Sequence, residues 1–194
     1  MLHFDDQGHL VRGRHQMDIE EARDCLVDAP CFRDSGTRGQ LWDGFERFLA
    51  RFLALEEIHR DVLEGQPPLI HCVWLGGSYV SAKLDPRNID ATFFMDVEVE
   101  DALRGKEGAG WLTKAFKSWK SIQTEYGVTP LRVGYRRVAT VFRPDEHSAV
   151  DQEYFRDRGR WDDWWQRRRL EPPADPRPTV ESAVPVRGYL EVTL

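Results

Sequence analysis

Residues 73–93 decide the fold of this 194-residue chain, and they read VWLGGSYVSAKLDPRNIDATF. The stretch begins within an apolar run, Leu69–Leu75, which lies between a proline and a glycine and predicts a short buried β-strand. A Gly-Gly-Ser turn and a short helical crossover are predicted to follow. The stretch ends inside a second predicted strand, Ile89–Val99, whose first residues are polar and acidic. The pattern therefore predicts two neighbouring strands of one sheet, connected through a glycine turn.

The turn at Gly76, Gly77 and Ser78 has a composition that suits phosphate binding. Glycines let the backbone approach a phosphate closely, and the amides of a following helix N-terminus can hold it. Asp90 is predicted on the adjacent strand, where its carboxylate could hold a divalent ion against the same phosphates. The three turn residues are therefore candidate nucleotide-binding residues, and Lys83 is a further candidate to balance phosphate charge. The alternatives are an ordinary tight turn and a solvated surface lysine.

The rest of the chain predicts helices packed on a small mixed sheet. Apolar residues recur at spacings of three and four from Leu41 to Val62, which is typical of one apolar helical face. Residues 1–17 are expected to form an extended arm, and proline-rich residues 171–185 a wrap over the surface. The other predicted elements are a helix after a capping box at Asp18 over Ile19–Val27, a helix over Gly110–Tyr126, a strand over Leu131–Phe142, a helix over residues 151–169 and a last strand over Val186–Leu194. The pattern predicts one α/β (α+β) domain over residues 1–194.

The net charge of −6 argues against a protein whose whole surface grips nucleic acid. It leaves room for a local basic surface, for which Arg132, Arg136 and Arg137 on the predicted strand are the candidates. The three cysteines follow no CxxC spacing and indicate reduced thiols in a cytosol. Since the chain shows neither a secretory signal nor an apolar run of membrane-spanning length, we expect a cytoplasmic protein without a membrane partner.

Residues 154–169 interleave aromatic side chains with six arginines. Such a mixture could stack nucleic-acid bases and neutralise phosphates. The favoured alternative is a helix that packs its tryptophans into the core while its arginines pair with acids of the same helix. The tryptophans are Trp161, Trp164 and Trp165, and the acids are Asp157, Asp162 and Asp163.

The central stretch resembles the nucleotidyltransferase superfamily that includes DNA polymerase β and the aminoglycoside nucleotidyltransferases. That family has an apolar strand, Gly-Ser, roughly ten residues and then an acid-apolar-acid triplet; Gly77-Ser78 and Asn88-Ile89-Asp90 stand at these positions. More narrowly, Phe4 to Leu10 and Trp74 to Val80 are similar to an uncharacterised group of small bacterial nucleotidyltransferase-like proteins. The resemblance covers about residues 4–142 and 186–194, and it implies a nucleotidyltransferase-like fold.

The resemblance also implies three carboxylates that hold two metal ions, two in the triplet and one on a later strand. Here the first position is Asn88, the second is Asp90, and the predicted strand segment Leu131–Val138 carries no acid. One remaining carboxylate supports a two-metal clamp poorly, so we expect a degenerate site in which Asp90 and Asn88 are the catalytic-position residues and Asp90 alone is a metal ligand for Mg²⁺.

Other acids nearby are candidate replacements for the missing carboxylates. Asp96 or Glu98 shares a strand face with Asp90, but Asp96 would lie about 20 Å away on a regular strand, too far for one metal cluster. Asp85, in the crossover, stays open as a replacement.

Three functions follow as alternatives. The first is a catalytically impaired nucleotidyltransferase-like protein, a pseudoenzyme, that binds a nucleotide, RNA or a protein partner; fold-level analogy suggests a toxin–antitoxin or phage-defence setting. The second is an active Mg²⁺-dependent enzyme that transfers a nucleoside monophosphate to a protein or RNA hydroxyl. The third is an interaction module that binds no nucleotide and docks through the helix over residues 161–169 and the last strand.

Overall fold

One mixed sheet of five strands organises the part of the chain that the structure, a computed structural model, describes, namely residues 2–168 and 177–194. The strand order is β1-β5-β2-β3-β4. The pairs β1–β5 and β3–β4 are parallel, whereas β5–β2 and β2–β3 are antiparallel. The strands are β1 (Gly13–Asp18), β2 (Ile70–Gly76), β3 (Ile89–Asp96), β4 (Val128–Tyr135) and β5 (Gly188–Thr193).

Six α-helices in the described residues pack on this sheet, which confirms the predicted α/β class with a mixed sheet. No helix there has both the length and the apolar character that crossing a membrane requires. The helices are α1 (Ile19–Leu26), α2 (Arg38–Ile58), α3 (Val97–Leu103), α4 (Gly110–Lys117), α5 (Trp119–Tyr126) and α6 (Ala149–Gln166).

Strand alternation divides the core into two layers, one on each face of the sheet. On the first face, α1, α2, α4 and α5 cover the odd-numbered residues of β2 and β3, and the rings of Phe48 and Phe52 lie 5.4 and 5.6 Å from that of Phe93. On the second face, α6 supplies Tyr154 and Trp165 to a smaller aromatic cluster with even-numbered strand residues such as Phe94. Residues of equal parity on β3 therefore share a layer.

The predicted centre of the fold is confirmed at β2 and at α1. Asp18 accepts a hydrogen bond from the Glu21 amide while the Glu21 carboxylate accepts one from the Asp18 amide, which completes the predicted capping box. The last strand is also observed, over Gly188–Thr193. Of the predicted proline-rich wrap, residues 171–176 lie outside the described residues.

Several predicted boundaries are wrong for local reasons. The strand expected over Ile89–Val99 ends at Asp96, because this side chain accepts hydrogen bonds from the amides of Glu98 and Val99 and so caps α3. The helix expected over Gly110–Tyr126 breaks at Ser118 into α4 and α5.

Three more boundaries differ from the prediction. The helix with the apolar face stops at Ile58, four residues before Val62. The strand expected over Leu131–Phe142 is β4, three residues earlier at its start and seven earlier at its end. The extended arm expected over residues 1–17 contains most of β1 and is therefore part of the sheet.

The segment between β2 and β3 contains no helix, so the predicted helical crossover is wrong. A buried guanidinium holds it instead. Arg38 is 1% exposed; its Nη1 donates to the carbonyls of Leu26 (2.9 Å) and Tyr79 (2.8 Å), and its Nη2 donates to those of Ser81 (2.8 Å) and Lys83 (2.7 Å). These bonds satisfy backbone acceptors that a helix would otherwise pair internally.

The Arg38 guanidinium also lies 3.6 Å from the centroid of the Phe32 ring, and the Tyr79 hydroxyl donates to the Arg38 carbonyl. Burial lowers the pKa of Arg38 to about 10. The side chain therefore stays charged at neutral pH, and carbonyl dipoles and an aromatic face stabilise the charge.

Replacing Arg38 should destabilise the protein because four carbonyls, two of them buried and two partly buried, would lose their donor. We expect Arg38→Met to lower the free energy of unfolding by about 3 kcal/mol, since each unsatisfied buried acceptor costs about 1–3 kcal/mol. Urea titration followed by circular dichroism measures this. Arg60→Met is the matched control at an exposed position and should change stability by less than about 0.5 kcal/mol. An Arg38→Met protein as stable as the control would contradict the role of these bonds.

Candidate functional site

The Gly-Gly-Ser turn and Asp90 are neighbours in the structure, as the sequence predicts. The antiparallel register of β2 and β3 places Gly76 opposite Asp90. Gly77 has a φ of +70°, and a Cβ at this position would overlap Oδ2 of the Asp90 carboxylate. Gly77 is therefore required both for the left-handed backbone of the turn and for the close approach of the carboxylate.

Four polar side chains form a hydrogen-bonded network beside this turn, and we call Asn88, Asp90, Gln123 and Thr129 the polar centre. Asn88 Nδ2 donates to Asp90 Oδ1 (2.7 Å) and to Thr129 Oγ1 (2.9 Å). Gln123 Nε2 donates to Thr129 Oγ1 at 3.1 Å. The network fixes the Asp90 carboxylate against both neighbouring elements, β4 and α5.

Thr129 and Gln123 are residues of the polar centre that the sequence analysis misses. Thr129 lies directly opposite Asp90 because β3 and β4 are parallel in that register. The predicted start of this strand at Leu131 excludes it by two residues. The apolar residues Val128 and Pro130, one on either side of Thr129, are the signal that could have extended the strand, since both are buried while Thr129 is half-buried.

The position beside Asp90 on β4 carries a hydroxyl and no carboxylate. None of the three alternative acids replaces it, and Glu98 lies in α3, beyond the end of β3. Asp96 caps α3 at the other end of β3, and Asp85 Oδ1 accepts hydrogen bonds from Ser35 Oγ (3.1 Å) and the Gly36 amide (2.8 Å). Within residues 2–168 and 177–194, no group of three or more histidine, cysteine, aspartate or glutamate side chains could hold a metal ion.

Gly76 has a different packing role from Gly77. A Cβ at Gly76 would overlap the indole of Trp165, which is 4% exposed and donates from Nε1 to Thr92 Oγ1 at 3.0 Å. Because Asp90 has the same parity as Thr92 on β3, the carboxylate lies on the face that α6 covers. Gly76 therefore allows a tryptophan ring to pack closely against β2.

Ser78 and Lys83 occupy the loop that follows the turn. Ser78 is half-buried, and its carbonyl accepts a hydrogen bond from Ser81 Oγ at 2.7 Å. Lys83 is exposed, and Arg38 holds its carbonyl. No helix begins at Ser78, so the expected phosphate contacts from helix N-terminal amides have no structural basis here.

The three candidate basic residues are all ion-paired. Arg132 pairs with Glu100 of α3 through two hydrogen bonds, Arg136 Nε lies 3.1 Å from Asp151, and Arg137 lies 3.5 Å from Glu98. Arg136 and Arg137 follow the end of β4, six residues or more beyond Thr129. They do not form a basic surface beside the turn, which corrects that expectation.

Helix α6 follows the core-packing interpretation in most respects. Trp165 is buried and Trp161 stacks on it with ring centroids 5.6 Å apart, whereas Trp164 is 37% exposed. Arg160 pairs with Asp157 and Arg167 with Asp163. Asp162 differs from the expectation, because it accepts a hydrogen bond from the hydroxyl of Tyr189 on β5.

Comparison with known proteins gives a family and no activity. A family of unknown function, DUF6932, matches residues 2–192, and the chain therefore belongs to this family. No curated protein and no solved structure matches the chain.

The two glycines of the turn should each resist replacement by alanine. We expect Gly76→Ala to displace Trp165 and Gly77→Ala to combine an overlap with an unfavourable φ, each lowering the free energy of unfolding by about 1–3 kcal/mol. Gly159→Ala is the matched control, because this exposed glycine of α6 has no atom within 4 Å of its Cβ position. That change should be neutral or stabilising by up to about 1 kcal/mol. Urea unfolding curves compare the three; a Gly76→Ala protein as stable as Gly159→Ala would contradict the packing of Trp165 on β2.

Proposed function

We propose that this chain is a nucleotidyltransferase-like protein that binds a nucleoside triphosphate beside the turn and Asp90 but does not transfer the nucleotidyl group. One observation carries the proposal. The two triplet positions that the resemblance assigns to carboxylates hold Asn88 and Asp90, and the residue opposite Asp90 on the next strand is Thr129, so the group contains one carboxylate, one amide and one hydroxyl. The nucleotide is inferred from the resemblance, and the absence of transfer is inferred from the types of side chain in this group.

The donor set does not fit a two-metal centre. Two divalent cations carry four positive charges, and three carboxylates offset most of that charge, whereas Asp90 offsets one. Asn88 directs its amide N–H groups at Asp90 Oδ1 and Thr129 Oγ1, so its nitrogen occupies the space between these oxygens. These residues therefore do not support an in-line transfer that needs both ions.

A single Mg²⁺ carried by the nucleotide does fit. Mg²⁺ in proteins is commonly held by one or two carboxylates together with substrate phosphates, and it keeps several water ligands. Asp90 would supply the carboxylate, Asn88 orients it, and Gly77 lets the turn approach this carboxylate closely. The ion would offset the repulsion between the Asp90 carboxylate and the phosphates.

Calorimetric titration with ATP, GTP, CTP and UTP, with and without Mg²⁺, tests the proposal. We expect binding of at least one triphosphate in Mg²⁺ and at least tenfold weaker binding in EDTA. Asp90→Asn should weaken the Mg²⁺-dependent binding at least tenfold, whereas Asp101→Asn, the same change at an exposed site on α3, should leave it within twofold. Binding that ignores both Mg²⁺ and Asp90 would contradict the assignment of the ion. Incorporation of label from an α-labelled triphosphate into protein or RNA would show an active transferase and overturn the limit on chemistry.

A restored carboxylate set gives an independent check on the three positions. We expect the double variant Asn88→Asp with Thr129→Asp to be less stable than the natural chain in EDTA, because three carboxylates would repel one another. Mg²⁺ at ten times its dissociation constant should raise the Tm of this variant by about 3–6 °C. The natural chain should show a smaller rise without nucleotide. A double variant that does not respond to Mg²⁺ would show that the three positions do not converge on one ion.

A further inference from the structure

A cleft lies at the far end of the sheet from the polar centre. In the register of β3 and β4, Asp90 pairs with Thr129 and Asp96 pairs with Tyr135, so the two ends are six residues or about 20 Å apart. The cleft has a volume of about 460 Å³ and lies between the N-terminal half of α6, the start of β2 and the chain that follows β4. Its lining includes His71, Tyr135, Arg136, Arg137, Phe155 and Arg158. We call it the arginine cleft.

The arginine cleft has three guanidinium groups and no acidic residue in its lining, but Arg136 is ion-paired with Asp151 at 3.1 Å, which leaves Arg158 and Arg137 for a ligand. Arg158 Nη1 donates to the Tyr154 hydroxyl at 2.7 Å, and no carboxylate of residues 2–168 or 177–194 lies within 4 Å of this guanidinium as an ion-pair partner. Arg137 pairs with Glu98 at 3.5 Å, but both side chains are more than 60% exposed, so the pair contributes little and can yield to a ligand. The cleft is therefore positively charged on a chain whose net charge is −6.

Aromatic rings form the other walls. The imidazole of His71 stacks on the Tyr135 ring with centroids 3.7 Å apart and planes at 7°, and Tyr154 packs edge-on against Tyr135 at 5.7 Å. Partial burial lowers the pKa of His71, so this ring is uncharged at neutral pH. Phe155 lies next to Tyr154, with ring centroids 5.4 Å apart. Flat rings of this kind favour a planar ligand group.

We propose that the arginine cleft binds a nucleoside monophosphate, with the phosphate held by Arg158 and Arg137 and the base placed against the aromatic walls. Guanidinium groups recognise phosphate through paired hydrogen bonds, and two of them offer enough donors to suit a terminal phosphate with three oxygens better than a planar carboxylate with two. The volume lies within the range of about 300–1,000 Å³ that is typical of small-ligand sites.

A small ligand fits the charge distribution better than a nucleic-acid strand. A strand needs a continuous basic track along its phosphates. Around the cleft, neighbouring arginines of α6, β4 and the loop between them are already paired: Arg132 with Glu100, Arg143 with Glu146, Arg156 with Glu153 and Arg160 with Asp157. Among the arginines of these elements, the positive charge available to a ligand is therefore concentrated at Arg158 and Arg137 of the cleft.

This inference does not rest on the proposed function, because the two sites share no residue. Asp90, Asn88 and Gly77 belong to one end of β2 and β3, and the arginine cleft to the other. Variants at each end therefore separate the two ideas.

Calorimetric titration of the full chain with AMP, GMP, CMP and UMP in EDTA tests the proposal. We expect at least one monophosphate to bind, with the affinity falling at least tenfold in Arg158→Gln and at least threefold in Arg137→Gln. Arg132→Gln is the matched control, since this arginine lies on β4 outside the cleft and should leave the affinity within twofold. Arg137 is 62% exposed, so its variant should fold even if loss of the Arg158–Tyr154 bond affects stability.

The same titrations can overturn the proposal. Adenosine and inorganic phosphate, as separate probes, should each bind at least tenfold more weakly than AMP; adenosine binding as tightly as AMP would remove the role of the arginines. Binding that is lost in Asp90→Asn and kept in both arginine variants would place the nucleotide at the polar centre, which overturns this inference and leaves the proposed function standing. Failure of all four monophosphates to bind at millimolar concentration would also overturn it, whatever the triphosphates do.

Discussion

The geometry around the glycine turn depends on how the charge of the Arg38 guanidinium is stabilised. A buried cation usually has a carboxylate beside it, because desolvation of an unpaired charge is costly. Here four backbone carbonyls and the ring of Phe32 stabilise the charge in place of a carboxylate. Three of these carbonyls belong to residues 79–83, so the charge determines the path of the loop that leaves the turn. This path brings the chain from β2 back to β3 in a register that puts Gly77 against Asp90.

Local patterns in the sequence are sufficient for the elements whose causes are local. Strand β2 is predicted by a run of apolar side chains, because burial on both faces selects such runs, and α1 by a capping box formed within four residues. Patterns fail where the cause is distant in the chain. The carbonyl partners of Arg38 lie up to 45 residues away, and Trp165 reaches Gly76 from the far end of the sequence. Spacing alone does not identify Thr129, since its place beside Asp90 follows from a strand register.

Helix α6 connects the two ends of the sheet that carry polar chemistry. Its C-terminal Trp165 packs on Gly76 and bonds to Thr92, whereas its N-terminal half carries Tyr154 and Arg158. Between them a layer of aromatic side chains fills the second face of the sheet. A packed helix of this kind moves as a rigid body, so a displacement of one end against the sheet would also displace the other end. The Asp90 carboxylate thus lies at one end of β3 and the arginine cleft beyond the other, with an apolar layer separating them.

The parallel pairing of β1 with β5 has a consequence for how the chain reaches this structure. Residues 13–18 find their sheet partner in residues 188–193, and β5 also stands between β1 and β2. During synthesis, β1 and α1 leave the ribosome long before β5 does, and until then they have no strand through which to join the sheet. Contacts of such high sequence separation slow folding, because the loop between them must close first. Completion of the sheet is therefore a late event that the nascent chain cannot begin until residue 188 has emerged.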